Sequence, residues 1–365
     1  MKRKKSPLLI VLVVVLAVLV VVVVPLIWYS TNIQAKSKTE EMQIVEIKEG
    51  STISSVATQL KKAEIIKDAT AFKIYTKLNH SKGFQAGTYG LSPSMSVKTI
   101  VKMLENGDIY TGDQITFTYI EGVPMWWLAS KIEEQTNNTA DDVYAKLADE
   151  AYIDSLIEKY WFLSDEIKNP NIYYPLEGYL FPDTYTFIDA DISVEDIFSI
   201  MLNRMDDILS EYRSDIEARL SEQDFSLHEF LSLAAVVESE SMNSDDRAGI
   251  AGVFYNRLDE GMALGSDPTT YYAIKVDVRE RALYQEELDL DNPYNTRGPN
   301  MEGEVPVGPI CSISRESIEA TLNPTDFDAL FFVGDKNGKT YFTNTNAEHE
   351  QIIADLKASG DWFEW

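Results

Sequence analysis

Apolar and polar positions change their period several times along the chain, and each change predicts a different kind of element. Residues 8–29 carry no charge and are mostly Val and Leu, with Pro25 near the far end. At about 1.5 Å per residue such a run reaches roughly 30 Å as a helix, enough to cross a hydrocarbon core. Val is a weak helix former in water, but in lipid the backbone must satisfy its own hydrogen bonds, so the helix wins. Trp28 and Tyr29 suit the outer interface, and Lys2, Arg3, Lys4 and Lys5 hold the other end in the cytoplasm. A cleaved signal peptide would have a shorter apolar core and small residues where Ile27-Trp28-Tyr29 stands. The expectation is a cytoplasmic tail over 1–7 and one retained transmembrane helix over 8–29. Everything later lies outside the cell membrane, since no second run is long enough to span.

Residues 30–42 are polar and read as a linker, which reaches at most about 45 Å when fully extended. A small module follows over 43–112. Residues 43–47 alternate like a strand, Glu49-Gly50-Ser51 is a turn, and Ile53, Val56, Ala57 and Leu60 recur at helical spacing. Residues 84–91 read as a second strand punctuated by Gly87 and Gly90. Residues 97–104 are an amphipathic helix that Asn106-Gly107 ends. The strand, Glu-Gly turn and helix recur at Glu121-Gly122, which fits a duplication and fits coincidence equally well. The rest, 113–365, is expected to form a larger mixed domain, so the fold class is α+β. Its first part is helical and acidic, interrupted over 173–185 by a loop dense in aromatics, Pro and Gly. A helix rich in Leu, Ala and Val starts after Ser226.

Charge narrows the partners. The chain has 59 acidic and 32 basic side chains, a net −27. Four basic residues sit in the tail and no acidic residue precedes position 30, so the outer part carries 59 against 28, a net −31. Such a surface repels nucleic acid, and anionic lipid headgroups too, leaving the helix as the strong membrane contact. Cys311 is alone, so no intrachain disulfide forms, and a lone Cys is most often a small apolar residue.

The three histidines, His80, His228 and His349, have no paired spacing, so no metal is expected. No G-x-S-x-G elbow, Walker pattern or dinucleotide glycine pattern occurs, so no cofactor is expected. Carboxylate chemistry remains, and its strongest candidates are Glu238 and Glu240, at the end of the apolar helix. A Glu on such a face is desolvated, and its raised pKa lets it hold a proton near neutrality, as a general acid for a glycosidic oxygen must. On a helix the two point about 200° apart, so they form no close pair. Periodicity slightly favours Glu240 as the less hydrated; the exposed end of a core helix would give the same pattern. Downstream, Asp267 reads as a helix cap before Pro268. Loops rich in Asn, Ser, Asp, Tyr and Gly near 261–272 and 293–310 suit sugar binding, or ordinary turns.

Taken in order, Ala86-Gly87-Thr88-Tyr89, Glu121-Gly122, Leu176-Glu177-Gly178 with residues 181–185, and Val236-Val237-Glu238-Ser239-Glu240 form a recognisable set. Asn256-Arg257-Leu258 with Gly261-Met262, Asp267-Pro268-Thr269, Tyr294-Asn295-Thr296, Gly308-Pro309-Ile310, and residues 342–349 complete it. The chain resembles, over essentially its whole length, the YceG-like family of endolytic murein transglycosylases. That resemblance implies a LysM-like small module that binds glycan. It implies Glu240 as the catalytic acid, with Glu238 as a supporting or alternative acid, and Ser266, Asp267, Thr269, Tyr294 and Asn295 as substrate-binding or orienting residues. Its implied partners are peptidoglycan glycan strands, the membrane through one helix, and wall synthases. Departures are Gly265 where the family usually has Gln, Val307-Gly308 within its Pro-Pro-Gly-Pro-Ile stretch, Ser312-Ile313 after it, and Thr340 where a His is common. The implied reaction cleaves the MurNAc–GlcNAc bond without water and leaves a 1,6-anhydro end. Two alternatives stay open: a muramidase-type hydrolase pairing Glu240 with Asp267 or Glu238, and a non-catalytic wall-binding scaffold.

Overall fold

A computed structural model describes residues 23–38, 42–112, 115–187, 189–241 and 243–362. The expected cytoplasmic tail and most of the expected membrane helix, residues 1–22, lie outside the described residues. Among the described residues no helix is long and apolar enough to cross a membrane. The architecture is mixed α+β: among the described residues helices dominate, and the strands form three separate two-stranded sheets. The chain divides into two compact units, Met1–Thr116 with Thr186–Ala190, and Phe117–Tyr185 with Asp191–Trp365.

The first unit contains α1 (Val24–Asn32), β1 (Gln43–Ile47), α2 (Ile53–Lys62), α3 (Ala69–Leu78), β2 (Gly87–Leu91) and α4 (Val97–Asn106). β1 and β2 pair antiparallel, from Gln43 opposite Leu91 to Ile47 opposite Gly87. Each helix starts where a short polar side chain accepts a backbone N–H: Thr52 from Ser55, Asp68 from Ala71, Ser96 from Thr99. Val45, Leu60, Phe72, Tyr89 and Ile100 fill the core. Helix α3 is an addition to the sequence reading; its cap at Asp68 and its buried Ala71, Phe72 and Thr76 are the signals that were there to read. The stretch expected as a linker is helical to Asn32 and then held on the module. The Lys36 and Ser37 amides donate to Pro93 O (2.8 and 3.1 Å), and Val97 N–H donates to Ile33 O (3.0 Å). Ile33 packs on the core, so residues 30–37 do not run free.

The second unit begins within β3 (Ile115–Thr118), at Phe117, and β3 pairs with β4 (Thr184–Phe187). Between them lie α5 (Met125–Gln135), α6 (Ala140–Leu147), α7 (Glu150–Lys159) and the expected aromatic loop. Strand, turn and helix recur as the sequence echo implied, β1 to α2 and β3 to α5, with Gly50 and Gly122 both at positive φ. After β4 come α8 (Val194–Glu211), α9 (Arg213–Gln223), α10 (Leu227–Glu240), α11 (Arg247–Asp259), α12 (Asp267–Ala273), α13 (Gln285–Leu288) and α14 (Arg315–Leu322). The antiparallel hairpin β5 (Phe331–Gly334) and β6 (Thr340–Thr343) and the helix α15 (Asn346–Ser359) close the unit.

Helix α10 is central. Ser226 and Glu229 form a reciprocal capping box at its start. Every residue of 230–238 is buried, as an apolar-all-round helix requires. It packs against α11 and α14. On α11, Gly249 and Gly252 leave room for the Phe342 and Phe327 rings; a Cβ at either would overlap them.

Candidate active site

The burial of α10 decides where its two terminal carboxylates go. Glu238 points back into the protein. Arg247 Nη2 reaches its Oε1 at 2.9 Å, while Ser314 donates both its backbone N–H (3.0 Å) and its hydroxyl to Oε2. Both partners come from flanking helices, Arg247 opening α11 and Ser314 capping α14. Only 7% of Glu238 is exposed, so it is the more buried of the two, contrary to the periodicity reading. Its burial is matched by an ion pair and hydrogen bonds, so it is held in place. Glu121, near this cluster, has its carboxyl pushed up by partial burial first and then by the negative charges of Glu238 and Glu316, with Arg247 opposing.

Glu240 leaves the opposite face of the helix. Among the described residues no group hydrogen-bonds its carboxyl at good geometry. Protein crowds it closely enough that desolvation pushes its pKa up to about 7, although the residue keeps some solvent exposure at the surface of a recess. Asp267 adds to the rise, while the Ser266 hydroxyl and the guanidinium groups of Arg297 and Arg257 oppose it. The Ser266 hydroxyl is buried, has no other partner among the described residues, and lies close enough to the Glu240 carboxyl for hydrogen bonding to oppose the rise. A carboxyl that is desolvated, free of a direct ion pair and near cations fits a group that holds and releases a proton.

The wall facing Glu240 is the turn into α12. Gly265 sits at φ +66°, which favours glycine, and a side chain there would press on Arg257 Nη1. Arg257 is fixed by Leu330 O (2.6 Å) and Leu264 O (2.7 Å), with its guanidinium 5.2 Å from the Phe331 ring centroid. Asp267 is the first helical residue rather than the cap, which is Ser266, because Pro268 takes the second position. The Asp267 carboxylate is exposed and pairs with Arg297.

Three of the expected substrate residues are built into this wall from behind. Asn295 is fully buried. Its amide donates to Leu288 O (3.0 Å), Leu290 O (2.9 Å) and Glu287 O (3.3 Å), and its oxygen accepts from Thr270 Oγ1 (2.6 Å) and Arg297 N (3.2 Å). Thr269 is also fully buried, donating to Ser266 O at 2.6 Å and lying 2.8 Å from Thr296 Oγ1. Tyr294 is buried against Tyr173 and Tyr272, its hydroxyl accepting from Tyr173 N at 3.3 Å. With their polar groups engaged inside the protein, they shape the turn and have none free for a ligand. Of the expected set, Glu240, Ser266 and Asp267 come together.

Glu177 plays a part that the sequence reading did not assign. It is 1% exposed, and burial pushes its pKa up to about 8. Its Oε2 accepts from Met125 N (2.8 Å) and Tyr272 Oη (3.0 Å), joining the start of α5 to α12, while Oε1 has no partner at bonding geometry. Beside it Trp126, Tyr144, Tyr173, Tyr174 and Tyr272 form a partly exposed stack. A cavity of about 470 Å³ opens there between α6, α7 and the loop, lined by Tyr144, Tyr173 and Tyr174. A shallower groove of about 620 Å³ runs between Phe342 and Ile352. Glu240 lines neither of these.

Cys311 is buried on Ala235 O (3.4 Å), and burial pushes its thiol well up, away from a thiolate. His228 is held between Tyr179 Oη (2.8 Å) and Val307 O (2.9 Å). Among the described residues, no His, Cys, Asp and Glu gather into a metal-binding group.

Comparison with known proteins adds an independent line. The YceG-like family profile matches residues 45–355. The endolytic murein transglycosylase of Bacillus subtilis strain 168 is 38% identical over 308 residues, covering 84% of this chain and 82% of that one. The endolytic murein transglycosylase of Streptococcus pneumoniae D39 is 33% identical over 337 residues, 88% of this chain and 59% of its own length. A crystal structure of a Listeria monocytogenes chain described as yceG-like matches with a TM-score of 0.60 at 35% identity, over 86% of this chain and 100% of that chain.

Proposed function

The chain belongs to the YceG-like family, and on that premise we propose that it is a lytic transglycosylase that cleaves peptidoglycan strands internally, with Glu240 as its acid. One observation carries the proposal: of two carboxylates at the end of one helix, Glu238 is saturated by an ion pair and hydrogen bonds, whereas Glu240 is desolvated with no ion-pair partner among the described residues and only the Ser266 hydroxyl beside it. With a pKa of about 7, roughly half of Glu240 holds a proton at neutral pH. Protonated Glu240 gives its proton to the oxygen linking MurNAc to GlcNAc. As that bond breaks, positive charge builds at C1. The Glu240 carboxylate then takes the proton of the MurNAc 6-hydroxyl, whose oxygen attacks C1 and closes a 1,6-anhydro ring. The proton returns to Glu240, and no water is consumed.

A hydrolase of the usual kind needs a second carboxylate to act as nucleophile or to activate water. Glu238 is committed to Arg247 and Ser314, and Asp267 to Arg297, which supports the one-carboxylate route. In this reading Ser266 steadies the Glu240 carboxylate, a role supported by the lowering effect of its hydroxyl on that group. The partly exposed aromatic stack near Glu177 offers ring faces for the sugars of a long strand.

The proposal includes a setting. The uncharged run over 8–29 behind a basic tail supports a single-pass anchor with its N-terminus in the cytoplasm. The strand–helix–helix–strand order of the first unit supports a LysM-like, glycan-binding module. Because residues 33–37 are fixed on that module, the tether is shorter than a free linker would be, and the module stays near the outer leaflet, where new strands and their synthases lie. Digestion of purified glycan by the wild type and by Glu240→Gln, with products read by mass spectrometry, tests the reading. Anhydro-MurNAc ends that vanish in the variant support it. Reducing MurNAc ends would establish the hydrolase, and binding without cleavage by the wild type would establish the scaffold.

A further inference from the structure

The acidity of this protein is unevenly divided. Residues 113–365 hold 51 acidic against 17 basic side chains, whereas residues 43–112 hold 9 basic against 6 acidic. The small module is therefore net positive on a strongly negative chain, and the repulsion of anionic headgroups expected from the whole-chain balance does not apply to it.

The module also has a direction. Helix α3 packs against α1. Before α3 begins, Lys67 Nζ donates to Thr31 O at 3.1 Å; further along it, Tyr75 lies close enough to Tyr29 for their phenols to interact. As α3 proceeds, its neighbours on α1 therefore come from earlier positions, so its C-terminal end heads toward the uncharged run. That end is unusually apolar for a surface: Ile74 is 37% and Leu78 63% exposed. Leu26, Ile27 and Trp28 are exposed on α1 beside it. Lys73 and Lys77 lie on the exposed side of α3, and neither forms an ion pair among the described residues. Lys82 follows in the next loop, also exposed.

We infer that the face made by α1 and the C-terminal half of α3 rests on the membrane surface, with Ile74 and Leu78 in the interface and Lys73, Lys77 and Lys82 against anionic lipid phosphates. Apolar side chains flanked by lysines are the composition that interfacial helices use, and each part reinforces the other on an anionic leaflet. The anchor then becomes a two-point attachment that sets the module's orientation as well as its distance. This inference rests on the reading of residues 8–29 as a membrane span.

The test uses the full chain in vesicles of phosphatidylglycerol and phosphatidylcholine, with a nitroxide label on Leu78→Cys. Native Cys311 is buried and does not compete. A matching label on Thr58→Cys, exposed on α2, serves as the aqueous reference. Flotation shows whether the chain is membrane-bound, and collision with a water-soluble nickel chelate reports exposure of each label. The expected result is flotation, with the label at 78 shielded at least threefold relative to the label at 58. Shielding should be lost, with flotation kept, in phosphatidylcholine alone and in the Lys73→Glu, Lys77→Glu double variant. A floating chain whose two labels are equally accessible overturns the inference while leaving the anchor intact. Shielding unchanged in phosphatidylcholine alone overturns the role given to the lysines. A chain that does not float overturns the anchor, and this inference with it.

Discussion

Replacing Glu240 with Gln should abolish cleavage and at the same time stabilise the protein, and the stability gain should depend on pH in one direction only. The Glu240 carboxyl lies at about 7 against an ordinary value of 4.5, and at about 1.4 kcal/mol per pH unit that displacement corresponds to roughly 3 kcal/mol. Partial contact with solvent screens the charge, so about 1–2 kcal/mol is the working figure. The sign follows from proton binding. Between pH 4.5 and 7 the native state keeps the Glu240 proton while the unfolded chain has released it, so stability falls as pH rises through that window. Below 4.5 the cost is absent, and above 7 it is complete. Gln carries no charge at any pH. At pH 8 the variant should therefore be more stable than the wild type by about 1–2 kcal/mol, a rise of several degrees in the midpoint for a unit of this size. At pH 4 the two should coincide. Thermal or urea unfolding of both proteins at both pH values measures the difference. An equal difference at pH 4 and pH 8, or a Gln variant less stable at pH 8, would show that Glu240 is not a strained, desolvated acid, and the assignment of the acid would fall.

Other expectations can be checked on the same preparations. The cleavage rate should decline on the alkaline side with an apparent pKa near 7, as Glu240 loses the proton it must donate; a rate that is flat from pH 6 to 9 contradicts this. Glu238→Ala strands Arg247 and the Ser314 donors, and should cost about 3 kcal/mol of stability while the alkaline limb of any residual activity stays where it was; a limb that moves with Glu238 would make it the acid. Asn295→Ala leaves two carbonyls, Leu288 O and Leu290 O, and two donors without partners and should lose about 2–4 kcal/mol. Unchanged stability with a raised KM would return Asn295 to the substrate. Glu177→Leu abandons Met125 N and Tyr272 Oη at a cost of about 2 kcal/mol, whereas Glu177→Gln keeps an acceptor for both and should match or exceed the wild type above pH 8.

How much of this the sequence carried depends on whether a residue's part was local. The helix after Ser226 was readable because its apolar run and its Ser-x-x-Glu box are properties of neighbouring positions. So was the opposition of Glu238 and Glu240, which is a matter of helical period alone. What could not be read was compensation across the fold. Periodicity favours Glu240 as the less hydrated, whereas Glu238 is the more buried and Ser314, 76 positions away, bonds it. Asn295 and Thr269 have the composition of a sugar site, and only their pairing with Thr270 and Thr296 shows them turned inward. Glu177 stood in plain view in an aromatic loop, yet its burial depends on Met125 and Tyr272, from two other segments. Charge misled in a similar way: a chain-wide −27 hid a module of the opposite sign.

The most direct test of one-carboxylate, water-free cleavage by Glu240 is digestion of glycan strands in ¹⁸O-labelled water, with the mass of each new MurNAc end read out. Ends lighter than reducing MurNAc by one water and free of ¹⁸O, made by the wild type and absent with Glu240→Gln, are the predicted result. One ¹⁸O atom at C1 of each new end would mean that water is the nucleophile, and would contradict it.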